Sequence, residues 1–158
     1  MLAEKLRLDG KVAIITGSGK GIGRGIGLVY AEAGARVVFT ARTESDVQAS
    51  AERAKGFGVP ALAVPCDVRD DTQLQTLVAK TVEAFGRIDI VVNNAGGAMP
   101  NQIPRTNRKR FNEAFDFNVT SPFMVVRFCL PQLKESKGCV INICSAVGRI
   151  VQPNFSVY

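Results

Sequence analysis

Histidine is absent from this sequence, and its four cysteines form no C-x-x-C pair. Both absences bear on metal binding, because zinc sites draw most of their ligands from these two residue types. We therefore expect neither a metal site nor a histidine-based catalytic triad. Three of the cysteines lie in or beside apolar runs, which predicts buried, reduced thiols and a reducing compartment: Cys66, Cys139 and Cys144.

Long apolar runs are also lacking. No stretch reaches the roughly 20 apolar residues of a membrane-spanning helix, and the N-terminal sequence MLAEKLRLDG has no apolar signal-peptide core. These features predict a cytoplasmic protein without membrane contact.

The net charge of +6 is not accompanied by a stripe of basic residues with interleaved aromatics, so no nucleic-acid partner is expected. One basic cluster is interpreted as the solvated start of a helix, with contact to an acidic carrier or a CoA phosphate as the alternative. It comprises Arg105, Arg108, Lys109 and Arg110.

What the sequence does contain is an alternation of short apolar runs and longer amphipathic segments, in a length of 158 residues that suits one domain. Nearly continuous apolar runs predict parallel strands that are covered on both faces. These runs are 11–16, 36–40, 61–65, 89–93 and 139–143. We therefore expect an α/β fold with a Rossmann-like, doubly wound parallel sheet.

Four helices are predicted between the strands. The first covers 21–33, and the second begins with a capping box formed by Thr43 and Asp46. The third carries an apolar stripe, and the fourth runs over about 107–135. Because no helix pattern follows the fifth run, we expect a sheet that is truncated after its fifth strand and leaves an apolar surface bare. The stripe consists of Leu74, Leu77, Val78 and Val82.

A glycine-rich turn, TGSGKGIG, joins the first strand to the first helix. Glycine lets the backbone turn tightly beside a pyrophosphate, and the amides at a helix N-terminus face the anion. This predicts a dinucleotide site, with a purely structural turn as the alternative. The spacing fits neither G-x-G-x-x-G nor a Walker A loop, since glycine follows Lys20.

The end of the second strand bears on which dinucleotide is bound. Ala41 stands where a carboxylate would accept from the ribose 2′-hydroxyl, and Arg42 follows it. Arg42 and Lys20 can neutralise a 2′-phosphate, so NADP is preferred and NAD stays possible. The alternative is that both are ordinary surface cations.

These features, taken together, resemble the short-chain dehydrogenase/reductase family. The resemblance is carried by TGSGKGIG, by CDV at 66–68, by NNAG at 93–96, by FNV at 117–119 and by Ser145 thirteen residues before Tyr158. These motifs stand in family order along nearly the whole chain. The resemblance implies that residues 1–158 are the dinucleotide-binding, N-terminal part of a single-domain oxidoreductase that interconverts a ketone and a secondary alcohol.

The resemblance also implies roles for single residues. Asp67 matches the adenine-amino acceptor of the family, and Asn118, Ser145 and Tyr158 match its catalytic residues. The implied cofactor-binding positions are Gly17, Ser18, Lys20, Gly21, Ile22, Gly23, Arg42, Asp67, Val68, Asn94, Ala95 and Gly96.

The chemistry of hydride transfer suits these catalytic residue types. Charge left on the substrate oxygen needs a proton donor and a hydrogen-bond donor, which Tyr158 and Ser145 can supply. Pro122 has no amide hydrogen for the carbonyl of Asn118, so we expect a helix kink there and a carbonyl that could hold a relay water. The alternative is a packing kink with a satisfied asparagine.

A tyrosine with a pKa near 10 needs a nearby cation to act at neutral pH. In the family this cation is a lysine four residues after the tyrosine, and the sequence ends at Tyr158. We therefore expect a truncation inside the active site, a chain that does not turn over, and a homo-oligomer when complete. A chance C-terminal tyrosine is the alternative for Tyr158.

Other functions stay open at this stage. A non-catalytic nucleotide-binding or interaction protein is the rival from a different class. Among enzymes, the alternatives are a 3-ketoacyl reductase and a hydroxysteroid dehydrogenase. The segments LRLDGKVAIITG and NNAGG resemble those of the latter.

Overall fold

The centre of the molecule is a five-stranded parallel sheet with the strand order β3-β2-β1-β4-β5. It is seen in a computed structural model that describes residues 6–158. The predicted apolar runs form its strands, which confirms the Rossmann-like sheet. They are β1 (Val12–Thr16), β2 (Arg36–Ala41), β3 (Ala61–Pro65), β4 (Ile90–Asn93) and β5 (Cys139–Asn142).

Helices cover the sheet on both faces. They are α1 (Gly21–Glu32), α2 (Glu44–Lys55), α3 (Asp71–Phe85), α4 (Arg108–Phe115) and α5 (Ser121–Ser136). Residues of α1 and α2 form one buried cluster with alternate positions of the strands, and residues of α3 and α5 form a second cluster with the other positions. The chain winds outward from β1 in both directions, so the carboxyl ends of β1 and β4 border a crevice suited to a ligand.

The start of α2 departs from the sequence prediction. Thr43 is the N-cap residue, but its side chain makes no capping hydrogen bond. Asp46 instead pairs with Lys20, whose Nζ lies 3.1 Å from Asp46 Oδ2. The predicted capping box was therefore wrong, because the fold brings a cation from the glycine-rich turn within reach of that carboxylate.

The long helix predicted over 107–135 is divided into α4 and α5 by a π-helical turn at Asp116–Thr120. In this turn the Ser121 amide donates to the carbonyl of Asp116, five residues earlier. Pro122 follows directly and cannot donate to Asn118, which is the physical reason given for a kink. The irregularity lies where the sequence predicted it, in the form of a widened turn.

Strand β5 forms an exposed edge, and all four of its residues are exposed. The relative exposures of Val140 and Ile141 are 38% and 37%. The predicted bare apolar surface is therefore confirmed. Cys139 and Cys144 are exposed too, contrary to the prediction of buried thiols, because nothing in residues 6–158 covers this edge. Cys66 is buried as predicted, and burial raises the pKa of its thiol to about 11.

Asp89, just before β4, is a buried carboxylate that ties the starts of two strands together. It accepts hydrogen bonds from the Val12 amide at 3.0 Å, from Lys11 Nζ at 3.2 Å and from Arg87 Nη2 at 2.6 Å. Burial opposes ionisation of this carboxyl, but the hydrogen bonds from Arg87, Val12 and Lys11 outweigh it and hold the pKa of Asp89 below its ordinary value.

Replacing Asp89 with asparagine should lower the free energy of unfolding at neutral pH by about 2 kcal/mol, since charge-assisted bonds are lost in a buried place. Urea midpoints measure the change, with exposed Glu83→Gln as the control. A carboxylate with a depressed native pKa contributes stability that is fully present above the unfolded pKa and is lost as pH falls through the native pKa. The stability difference between the wild type and Asp89→Asn should therefore shrink below about pH 4. Equal midpoints at neutral pH would contradict this role.

Candidate active site

The turn between β1 and α1 is pressed against the segment that follows β4. Gly17 and Gly21 have φ angles of +62° and +54°, in the left-handed region that favours glycine. A Cβ placed on Gly17 would lie 3.0 Å from the Cα of Ala95. The turn therefore needs glycine both for its conformation and for its close approach to β4.

The first turn of α1 packs as tightly beneath this loop. A Cβ on Gly23 would lie 2.6 Å from the carbonyl oxygen of Gly17 and would collide with the side-chain amide of Asn94. A Cβ on Gly25 would meet no atom within 4 Å. The requirement for glycine is thus confined to the side of α1 that supports the turn.

Thr16 and Asn94 connect the carboxyl ends of β1 and β4. The Thr16 hydroxyl accepts from the amides of Asn94 and Ala95, each at 3.0 Å. The Asn94 side chain donates to the carbonyls of Thr16 and Gly17 at 3.0 and 3.2 Å. Thr16 begins the motif TGSGKGIG, but sequence reasoning gave it no role; its signal was a hydroxyl at the last position of an otherwise apolar strand.

Ser18 lies beneath the loop, where its side chain is fully buried. Its hydroxyl donates to the carbonyl of Ile15 at 2.7 Å and accepts from the Thr40 amide at 2.8 Å. Ser50 Oγ donates to the Ser18 carbonyl at 3.1 Å, and Arg24 Nε donates to Ser50 Oγ at 3.0 Å. The Ser18 side chain therefore braces the turn from below.

A cavity of about 340 Å³ opens above the carboxyl ends of the strands. Most of the predicted cofactor-binding residues line it, with Gly19, Asp46 and Phe117 among their neighbours. Gly21 and Gly23 lie in the first turn of α1, and Ile22 faces a second cavity. The lining members of the predicted set are Gly17, Lys20, Arg42, Asp67, Val68, Asn94, Ala95 and Gly96.

Asp67 is held by a residue that the sequence interpretation missed. Arg69 donates through Nε to Asp67 Oδ1 at 3.1 Å and through Nη2 to Oδ2 at 2.7 Å. The Arg69 guanidinium also lies 5.6 Å from the ring centroid of Phe117. The hydrogen bonds from Arg69 hold the pKa of the Asp67 carboxyl below its usual value. The available signal was an arginine two residues after the acid.

The second cavity, of about 700 Å³, adjoins the first at Asn94, Ala95 and Gly96. The three predicted catalytic residues all line it: Asn118, Ser145 and Tyr158.

The Asn118 side chain is fully engaged with its surroundings. Its Oδ1 accepts from the Gly97 amide at 2.8 Å, and its Nδ2 donates to the Gly97 carbonyl at 2.9 Å. Nδ2 also donates to the carbonyl of Ala114 at 2.8 Å. Asn118 therefore fixes the backbone after β4 to the π-helical turn.

Ser145 and Tyr158 belong to the segment after β5. Ser145 caps a short 3₁₀ helix, where its Oγ accepts from the Val147 amide at 3.4 Å. Near Tyr158, Ser156 Oγ donates to the Asn101 carbonyl at 2.9 Å and lies 3.0 Å from Thr106 Oγ. The chain end is thereby attached to the loop before α4, which sets the position of Tyr158 at the cavity.

Two further observations concern the described part of the chain. Among residues 6–158, no helix is both long and apolar enough to cross a membrane. Across the same residues, no three cysteine or acidic side chains gather as a metal site would require. The basic cluster lies exposed around the start of α4, where Asn107 Oδ1 accepts from the Arg110 amide at 3.0 Å.

The comparison with protein families agrees with the fold and with the order of the motifs. A model of the short chain dehydrogenase family matches residues 11–158. The chain belongs to this family. The resemblance inferred from its motifs is therefore confirmed, and the glycine-rich turn, the segment after β4 and the residues beside β5 are homologous parts of a family fold.

Known relatives are similar to this chain over nearly its whole length. An uncharacterized oxidoreductase of Mycobacterium tuberculosis is 41% identical over 100% of this chain and 61% of its own length. The L-fucose dehydrogenase of Mus musculus is 36% identical over 99% of this chain and 56% of its own. A solved 7α-hydroxysteroid dehydrogenase, complexed with NADH and 7-oxo glycochenodeoxycholic acid, is 32% identical, with a TM-score of 0.93 over 99% of this chain and 61% of its own. The chain thus spans 56% to 61% of the lengths of these relatives.

Proposed function

We propose that this chain is the cofactor-binding part of an NADP(H)-dependent oxidoreductase that interconverts a ketone and a secondary alcohol. The observation that carries the proposal is the pair of adjoining cavities. One holds the glycine-rich turn and two cations, and the other holds Asn118, Ser145 and Tyr158. A dinucleotide that spans both would place its adenosine half beside Arg42 and its nicotinamide beside Tyr158.

The residues present fit a nicotinamide dinucleotide. A side chain at Gly17 would collide with the segment after β4, and one at Gly23 with the turn itself, so glycine at both positions lets the turn keep a conformation in which its backbone can approach a pyrophosphate. Helix α1 begins at Gly21 and carries no acidic residue in its first turn, so its N-terminal amides and dipole are available to an anion. The relative solved with NADH has the same fold over this region.

Bound in this crevice, the nicotinamide would donate or accept the hydride. In the reductive direction the Tyr158 hydroxyl would transfer its proton to the carbonyl oxygen, while the Ser145 hydroxyl donates a hydrogen bond to the same oxygen. Asn118 would hold the Gly97 backbone at the edge of the cavity and organise the proton relay. A lysine after Tyr158 would supply the cation that stabilises the tyrosinate, as in the family pattern.

The substrate is proposed as a small-molecule carbonyl or alcohol. Relatives named for L-fucose and for a hydroxysteroid support this broad class, and a 3-ketoacyl substrate is the further alternative. We further propose that the complete protein is a cytoplasmic homo-oligomer. Exposed Val140 and Ile141 on β5, and Phe123 on α5, support a need for additional cover.

Arg42 provides the test of the cofactor assignment. Replacing it with alanine should weaken NADPH binding by about 10- to 100-fold and leave NADH binding nearly unchanged, because only NADPH carries the 2′-phosphate. Fluorescence titration with both nucleotides measures this. Arg53→Ala, which removes an exposed arginine from the last turn of α2, is the matched control.

Three results bear on the proposal. Wild-type binding of NADPH that weakens only in Arg42→Ala supports the assignment. Equal loss of both nucleotides in that variant would contradict a contact with the 2′-phosphate. Failure of the wild-type chain to bind either nucleotide would contradict the proposed function as a whole.

A further inference from the structure

Asp46 occupies a place in the cofactor cavity that the sequence interpretation did not assign to it. It lines the cavity together with Arg42 and Thr43, next to the end of β2. A Cβ placed on Gly19 would lie 2.9 Å from the Cβ of Asp46, so the first turn of α2 packs directly on the glycine-rich turn. Asp46 is therefore held at the cavity wall by backbone packing.

The carboxylate of Asp46 already holds one of the two cations expected to bind a phosphate. Lys20 Nζ lies 3.1 Å from Asp46 Oδ2, and the side-chain exposures are 74% for Lys20 and 22% for Asp46. The lysine is thus the solvated partner, and the carboxylate is the sheltered one. Arg42, the other cation of this wall, makes no ion pair within residues 6–158.

We propose that Asp46 determines cofactor selectivity by competing with the 2′-phosphate of the dinucleotide for Lys20. This inference rests on the proposed function and deepens it. In this arrangement Arg42 attracts the 2′-phosphate, whereas Asp46 opposes it, so the chain binds NADPH less tightly than its two cations alone would allow.

Two physical effects give Asp46 this role. An ammonium group has three donors on a flexible stem, so Lys20 can turn from the carboxylate towards a phosphate. Asp46 then stays in the cavity wall beside the phosphate. Both groups are negative, and Lys20 no longer neutralises the carboxylate fully, so the two groups repel each other. NADH lacks the 2′-phosphate, so its binding leaves the pair between Lys20 and Asp46 undisturbed.

The structure weakens one simpler explanation for this acid and supplies a control for another. Asp46 does not complete a capping box, because the side chain of Thr43 makes no capping hydrogen bond. An effect of any acid in the first turn of α2 can be measured separately at Glu44, which is exposed and lies outside the cavity lining. The chain therefore supplies its own control for helix-dipole and long-range charge effects.

The experiment measures NADPH and NADH dissociation constants at low salt for the wild-type chain, for the single variants Asp46→Asn, Glu44→Gln and Lys20→Ala, and for the double variant Asp46→Asn with Lys20→Ala. Asp46→Asn should tighten NADPH binding about tenfold and leave NADH unchanged, and added salt should reduce the gain. Glu44→Gln should change neither constant appreciably. In the Lys20→Ala background the gain should become smaller, since the two side chains are coupled.

Each other outcome counts against the inference. Unchanged NADPH affinity in Asp46→Asn would overturn it, as would an equal gain in Glu44→Gln. Weaker NADH binding in Asp46→Asn would make this acid an acceptor for the ribose hydroxyls instead. If the wild-type chain binds neither nucleotide, the proposed function fails as well, whereas binding with an unaltered NADPH to NADH ratio removes this inference alone.

Discussion

Replacing Gly23 with alanine should weaken dinucleotide binding by about 10- to 100-fold, because the new methyl group would displace the turn that cradles the phosphates. Its Cβ would lie 2.6 Å from the Gly17 carbonyl oxygen and against the Asn94 amide. Either the turn moves away from α1 or Asn94 gives up its bonds to β1 and the turn. Both responses open the cradle at the point where a pyrophosphate would sit.

Gly25→Ala is the matched control for this prediction. Gly25 lies two residues after Gly23 in α1, and a Cβ there meets no atom within 4 Å. Both substitutions carry the same gain in helix propensity, of about 1 kcal/mol. Calorimetric titration with NADPH and NADH should show loss only for Gly23→Ala, with thermal unfolding as the check on folding. Binding of Gly23→Ala at wild-type strength would show that the turn does not hold the nucleotide.

Replacing Tyr158 with phenylalanine should lower kcat by about 10²- to 10⁴-fold, since the proposed proton donor is removed while the ring that lines the cavity remains. NADPH binding should be retained, because the first cavity is untouched. The assay follows oxidation of NADPH with a panel of ketones, in a chain that continues past Tyr158 with its native sequence.

Tyr30→Phe provides the control for Tyr158, since it removes the same hydroxyl from the other tyrosine of the chain. Tyr30 packs against the buried cluster under α1 and α2, away from both cavities. Its replacement should leave kcat unchanged. Full activity in Tyr158→Phe would contradict the proposed acid, and equal loss in both variants would indicate a general effect on the fold.

Much of the fold could be predicted because its signals are local. Continuous β-branched runs specify buried strands, and the apolar stripe of α3 buries Leu74 and Leu77 as its spacing indicated. The glycine-rich turn was found in the same way, since its conformation at Gly17 and Gly21 excludes most other residues. Pro122 likewise predicted an irregular helix, because it has no amide hydrogen to donate.

The partners of the charged and polar side chains could not be predicted in this way. Asp46 was assigned to a helix cap, Asp67 to an adenine contact and Ser18 to the cofactor. The structure pairs the first with Lys20 and the second with Arg69, and it buries the third beneath the turn. Lys20 and Thr40 are distant in sequence from Asp46 and Ser18, so only the fold brings these partners together. Arg69 stands two residues after Asp67, and its pairing leaves the adenine contact of Asp67 a prediction.

Burial at the edges of the sheet was also predicted only in part from the sequence. The apolar run at 139–143 determined that β5 would form, and within residues 6–158 its four residues are exposed. Both β3 and β5 are edge strands, but Cys66 after β3 shares a buried cluster with Leu74 and Leu77 of α3, whereas the described residues after β5 form no α-helix, so Cys139 and Cys144 are exposed. The sequence by itself thus determined the strands, helices and glycine-rich turn through local propensity and periodicity. The tertiary structure alone decided which side chains meet at the site, because those contacts arise from packing between segments far apart in the chain.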